Sequence, residues 1–178
     1  YQQYAAYIQK DLADKYNLDV DSIQGIRDLE PFMEQIRDNE QDIWPLCETG
    51  NAQQLLNYKG ADFTFAGLGV FGGYDVFGSN GVVHVMLDDE NYEAVSRLDN
   101  PYYVENFRVL NDYYKRGFLR NDLATVVDNT ADLAANRYAI SINMAVLDNE
   151  ITLSQQRGKE YIQIPFAEPY KFYNSGVD

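Results

Sequence analysis

The chain is poor in the residues that carry most enzyme chemistry. It has one cysteine, Cys47, and one histidine, His84, in 178 residues. A single cysteine excludes an internal disulfide, a pattern that fits both exported and cytosolic proteins. Cys47 has no second cysteine to share a metal with, so no zinc site is expected. A serine or cysteine nucleophile needs a base within reach. The lone His84 stands in the middle of the apolar run 82–87, where it reads as a hydrogen-bonded core residue. No Walker loop and no His-Glu-x-x-His motif occurs. Basic residues are also scarce, at 14 Lys and Arg against 28 Asp and Glu, a net charge of −14. That balance argues against gripping the phosphates of nucleic acid, which takes clustered cations. It argues equally against adhesion to anionic lipid, and reads as a solvated surface kept apart by repulsion. No run reaches the roughly 18 apolar residues of a membrane span. The chain opens at Tyr1 without a secretory leader, so it reads as a trimmed piece of a longer protein whose N-terminus carried the export signal.

Aromatics are abundant. Fifteen Tyr, nine Phe and one Trp make 14% of the chain. Tyrosine offers an apolar face and a hydroxyl, which suits polar ligands and ordinary cores alike. Hydrophobic residues at 46% and charged residues at 24% are normal for a packed domain. The length fits one domain, or a large lobe of something longer.

Tyr4, Ile8, Leu12 and Tyr16 recur every four residues and predict an opening amphipathic helix. A second helix begins between Gly25 and Asp28, with Leu29, Phe32, Met33 and Ile36 on one face and Pro31 near its first turn. Asp42-Ile-Trp-Pro-Leu46 reads as a short buried strand ending at Pro45, and residues 51–58 as a short helix. Residues 60–81 hold seven of the twelve glycines, interleaved with Phe63, Phe65, Phe71, Tyr74 and Phe77, and read as irregular loops or an aromatic-packed hairpin. Gly67-Leu-Gly-Val-Phe-Gly matches a dinucleotide fingerprint in letters only: no clear strand precedes it and no helix follows, and Tyr74-Asp-Val-Phe looks like a turn.

Residues 82–87 predict a strand, and Asp88-Asp-Glu-Asn91 a solvated acidic turn whose spacing does not match a calcium loop. Asn100-Pro101 predicts a helix start, with Val104, Phe107, Leu110, Asn111 and Tyr114 as its inner stripe and Gly117 as its stop. A short helix over 131–136, a strand over 138–142, a helix over about 147–157 stopped by Gly158, and a strand over 161–164 follow. Residues 166–178 read as an exit segment. Strands alternating with helices predict an α/β domain with a mostly parallel sheet flanked by helices.

Four segments carry a resemblance. They are 15–32, Lys-Tyr-Asn-Leu-Asp-Val-Asp-Ser-Ile-Gln-Gly-Ile-Arg-Asp-Leu-Glu-Pro-Phe; Trp44-Pro-Leu46; Tyr113-Tyr-Lys-Arg-Gly-Phe118 followed by Asn121-Asp122; and Tyr138-Ala-Ile-Ser-Ile-Asn143. In this order they resemble the extracellular solute-binding proteins of carbohydrate-type ABC importers, chiefly the large lipoproteins of Gram-positive bacteria. The resemblance implies a periplasmic-binding-protein-like lobe over 1–178, the second of two, with the first lobe absent. It implies no catalysis and no cofactor or metal. It implies capture of a small polar solute, a sugar or oligosaccharide, in an interlobe cleft and delivery to the ABC permease subunits. The bearer would be a monomer on the outer face of the cell membrane, lipid-anchored through an absent N-terminal segment.

Open α/β sheets bind ligands beyond the carboxyl ends of their strands. The implied contacts are therefore Trp44, Glu48 and Asn51 at the first strand end, Asn143 and Met144 at the second, and Tyr173, Asn174 and Ser175 at the exit. Tyr74 or Phe71 would stack on a sugar face. Met144 stands near where the family often has an aromatic. Asn51 and Asn143 are also good helix caps in their own right. Two other classes compete. A glycoside hydrolase fragment would bring two carboxylates about 5–10 Å apart. An adhesion or interaction domain would show a flat apolar patch.

Overall fold

The computed structural model describes residues 4–47, 74–77, 83–86, 90–96, 98–123, 125–126 and 128–166. Two sheets form among them. The larger has the order β2-β6-β1-β7, from β1 (Tyr4–Gln9), β2 (Trp44–Leu46), β6 (Tyr138–Met144) and β7 (Tyr161–Pro165). The smaller is β3 (Tyr74–Phe77), β4 (Val83–Met86) and β5 (Ala94–Ser96) in sequence order. The helices are α1 (Lys10–Lys15), α2 (Glu30–Asn39), α3 (Pro101–Lys115), α4 (Thr130–Ala134) and α5 (Asn149–Arg157).

The expectation of a mostly parallel sheet does not hold. β2 runs parallel to β6, but β1 lies between β6 and β7 and is antiparallel to both. β2, β6 and β7 thus share one direction and β1 opposes them. The smaller sheet is antiparallel throughout. Tyr74–Phe77, expected as a turn, is a strand paired with β4.

The expected opening helix is also wrong in its first half. Positions 4 and 8 share a face in a strand as they do in a helix, because their spacing is even as well as close to one helical turn. β1 is central, with Ala6 and Ile8 in the main core and Ala5 and Tyr7 in a second cluster on the opposite face. The helix begins only at Lys10 and buries Leu12 and Ala13.

The main core joins that first sheet face to α2 and α3. Ile26 and Leu29, on a 3-10 turn, lead into Phe32, Met33 and Ile36 of α2. Asp28 fixes the entry, its Oδ2 accepting the N–H groups of Gln24 and Gly25 at 2.8 and 2.9 Å. Pro31 sits in the first turn, where its missing N–H costs nothing.

The inner stripe of α3 is Val109, Leu110 and Tyr113, with Phe107 packed at its edge. The expected Asn111 is exposed and Tyr114 is 44% exposed, so the stripe is rotated from the one inferred. An ionic clasp holds α3 to α2. Arg116 reaches Glu30 at 2.7 Å and Glu34 at 2.9 Å, and the Tyr113 hydroxyl donates to Glu30 Oε1 at 2.8 Å. Burial, and then the Glu30 carboxylate, push the Tyr113 phenol above its ordinary value.

α3 ends at Gly117 (φ +73°) and α5 at Gly158 (φ +62°), both left-handed as a helix stop requires. The short helix, the strand and the last helix expected between 131 and 157 are present as α4, β6 and α5, and the final strand as β7. β2 continues through Pro45 to Leu46. The expected helix over 51–58 and the exit segment beyond 166 lie outside the described residues. His84 is buried in β4, and its Nδ1 lies 2.9 Å from Asn100 Nδ2, which ties the small sheet to the start of α3.

Candidate functional site

The register defines one sheet edge. The carboxyl ends of β2, β6 and β7 and the amino end of β1 lie on the same side, with Tyr4 opposite Met144 and Ala5 opposite both Asn143 and Pro165. β2 stops lower, since Leu46 pairs with Ile140. The Cys47 N–H then donates to the Ile140 carbonyl at 2.8 Å. This is the edge at which open α/β sheets hold ligands.

Three groups of side chains build the rim. At the β2 end, Cys47 is buried, and Asn129 Nδ2 stands 3.6 Å from its Sγ. Asn129 lies just before α4, in a turn fixed by Asp128, which accepts the backbone N–H and the hydroxyl of Thr130. Those bonds, the hydroxyl's first, hold the Asp128 carboxyl below its ordinary value. At the β6 end, Asn143 is exposed and Ala145 packs inward, while Val146 and Leu147 are exposed, Leu147 to 88%. At the β7 end, Pro165 leads to the buried Phe166. One face of the sheet just below the rim is polar: Ser141, Tyr7 and Gln163 stand side by side across β6, β1 and β7.

The expected contacts separate accordingly. Asn143 and Met144 lie together at the rim, as the last residues of β6. Asn143 is not a helix cap, because α5 begins after Asp148. Trp44 lies elsewhere. It pairs with Tyr138, the first residue of β6, five residues before Asn143 and so about 17 Å down the strand. There its ring meets the Tyr138 ring at a centroid distance of 5.4 Å, and the Arg120 guanidinium lies 4.5 Å from the Trp44 centroid. Arg120 also holds Asp122 at 2.6 Å and Asp132 at 2.8 Å, and donates to the Tyr138 hydroxyl at 3.0 Å. Tyr74 belongs to β3 of the smaller sheet. Phe71, Glu48, Asn51, Tyr173, Asn174 and Ser175 lie outside the described residues, as do Asp88 and Asp89. Sequence reasoning missed Asn129, Val146 and Leu147. The run Asp128-Asn129-Thr130 is a recognisable helix-start signal, and the two aliphatics follow directly on the strand Tyr138–Met144.

Among the described residues no group of three or more His, Cys, Asp and Glu is placed to hold a metal ion. None of the described helices is long and apolar enough to cross a membrane.

No protein-family model matches the sequence, and no curated protein matches it. Solved structures do. The N-glycan transport solute-binding protein NgtS of Streptococcus pneumoniae, in complex with Man1GlcNAc, superposes with a TM-score of 0.67 at 19% identity, over 94% of this chain and 34% of that one. The chain has a solute-binding-protein fold. An HMO-binding ABC-transporter-associated solute-binding protein of Bifidobacterium longum infantis gives 0.58 at 18% identity, over 95% and 35%. Maltose-bound MalE3 of T. maritima gives 0.58 at 21% identity, over 93% and 38%. The chain therefore spans about a third of the length of the solute-binding proteins it matches.

Proposed function

We propose that this chain is one lobe of a carbohydrate-capturing solute-binding protein of an ABC importer. The observation that carries the reading is the match of nearly the whole chain to solute-binding proteins whose solved structures hold Man1GlcNAc or maltose. The rim supports it, because neutral polar and apolar side chains collect at the strand ends where such folds hold ligands. In this reading the lobe supplies one wall of a cleft, with Asn143, Met144 and Asn129 on that wall. Glu48, Asn51, Tyr173, Asn174 and Ser175 join it from the adjoining segments, and Tyr74 serves as a stacking ring. Trp44 contributes through the stability of the β2–β6 pair. A second lobe supplies the opposite wall.

The mechanism is a shift between open and closed states. A sugar that touches both walls favours closure by its differential affinity. A hundredfold preference takes about 2.7 kcal/mol, at about 1.4 kcal/mol per tenfold. Two or three hydrogen bonds and one ring contact are of that order. The permease would read the closed form, and no bond is made or broken. We place the protein outside the cell membrane, lipid-anchored and monomeric.

The test is a thermal-shift screen of the full-length protein against mono- and oligosaccharides, peptides and polyols. Binding to the native state raises the melting temperature by mass action. Sugars are expected to raise it, and Asn143→Ala to reduce the shift. A response to peptides alone, or to nothing, would overturn the sugar reading.

A further inference from the structure

The second face of the main sheet is polar, where a sheet face beneath a helix is ordinarily apolar. Ala5, Tyr7 and Gln9 of β1 share this face, with Gln163 opposite Tyr7 and Tyr161 opposite Gln9. It is closed off from solvent: Ala5 and Gln9 are 0% exposed, Tyr7 1% and Tyr161 3%. α5 lies across it. Leu153 packs against the Ala5, Tyr7 and Tyr161 cluster, and the Ser154 hydroxyl oxygen accepts the Tyr161 N–H at 2.9 Å. Yet no residue of α5 is itself buried. Helix and sheet meet across a polar seam, not by interlocked apolar side chains.

Two enclosed oxygens on this face lack a donor. The Gln9 amide is oriented by its own bonds, since Nε2 donates to the carbonyls of Asn136 and Tyr138, each at 2.7 Å. Its Oε1 is buried and meets no donor among the described residues. The neighbouring donors are committed elsewhere. The Tyr161 hydroxyl donates to Asn136 Oδ1 at 2.8 Å, and Asn136 Nδ2 donates to the Arg157 carbonyl at 3.0 Å. Gln163 Oε1 is buried without a donor as well. Turning that amide over would only exchange an unpaired acceptor for an unpaired donor. Leaving a buried polar group unpaired is costly, and water is the donor small enough to be enclosed beside it. We propose that the seam between α5 and the sheet is an internal water-binding site, with one water donating to Gln9 Oε1 and a second to Gln163 Oε1. The first water has a further acceptor in the Tyr161 hydroxyl oxygen, whose own hydrogen is spent on Asn136. The inference stands on β1, β7 and α5 alone and is independent of the sugar reading.

The experiment is a crystal structure of the full-length protein at a resolution that shows ordered water, with the Gln163→Met variant beside it. A water is expected about 2.5–3.0 Å from each Oε1. In solution, the Gln9 side-chain amide protons are expected to show Overhauser contacts with the sign of long-held water. Gln163→Met is expected to lose the second water and keep the first. Its melting temperature is expected to stay unchanged or rise, because the oxygen it removes has no protein partner to leave behind. A protein donor at either oxygen, either oxygen without a water beside it, or a lower melting temperature for Gln163→Met would each overturn the inference and leave the sugar reading untouched.

Discussion

Glu40 shows how single residues hold the frame behind the rim. It follows the last residue of α2, and one oxygen, Oε1, accepts from Lys15 Nζ at 2.6 Å and from the Tyr16 hydroxyl at 2.7 Å. The end of α1 is thereby tied to the end of α2. The hydrogen bond from Lys15, then that from Tyr16, holds the Glu40 carboxyl below its ordinary value. A carboxylate whose folded pKa is depressed contributes stability above its unfolded pKa, near 4.3, and loses it as pH falls through the folded value. Glu40→Gln should therefore lower stability at pH 7, by about 0.5–1 kcal/mol for a partly exposed pair. The difference from wild type should shrink steadily below pH 4 and vanish near pH 2. Urea unfolding of both proteins across that range decides it. A difference that persists unchanged at low pH would mean that charge plays no part in the tie. Arg120 plays the same framing role beneath Trp44, with only 8% of its side chain exposed. That placement puts Trp44 at the far end of the sheet from the rim: a lone tryptophan in a short apolar run has the same signature whichever end of the strand it occupies.

At the scale of elements, helix ends are the most legible feature. Gly117 and Gly158 each follow a helical stripe, and both adopt the left-handed conformation that an added Cβ disfavours. A Cβ at Gly158 would meet nothing within 4 Å, and one at Gly117 would lie 3.4 Å from the flexible Arg37 side chain. Strain, not crowding, should then set the cost. Gly117→Ala and Gly158→Ala should each lose about 1–2 kcal/mol, a fall of roughly 2–8 °C in melting temperature for a chain of this size. Scanning calorimetry of the two variants tests this, and unchanged melting would deny the strain. Elements with a stop signal, such as α3 and α5, could be read directly. β1 could not, because an even spacing of four serves strand and helix alike and its alanines carry no strand preference. Its antiparallel insertion was hidden too, since the reversal of β1 between β6 and β7 depends on long-range pairing, not local pattern. β6 runs two residues past the expected strand, to Met144, because Asn143 after an apolar run reads as an exit although it still pairs with Ala5. Asn129 was not legible, because its approach to Cys47 links residues 82 positions apart.

At the scale of the whole molecule the proposed one-wall arrangement bears on what this chain can do alone. The chain closes a core of its own, from Ala6 through Ile140 to Phe166, so it should fold without further chain. Its rim, however, offers contacts from one side. If a second lobe supplies the rest, the isolated chain loses the hydrogen bonds and ring contact made from the opposite wall, and with them the free energy that drives closure. Residues 1–178 alone should then bind the sugar at least about a hundredfold more weakly than the full-length protein, a deficit of about 2.7 kcal/mol. Titration of both proteins with the same glycan measures it. Equal affinities would locate the entire site in this chain and remove interlobe closure from the mechanism. A hundredfold or larger deficit, with the isolated chain cooperatively folded, would mean that the rim at Asn143 is a half-site completed only by closure.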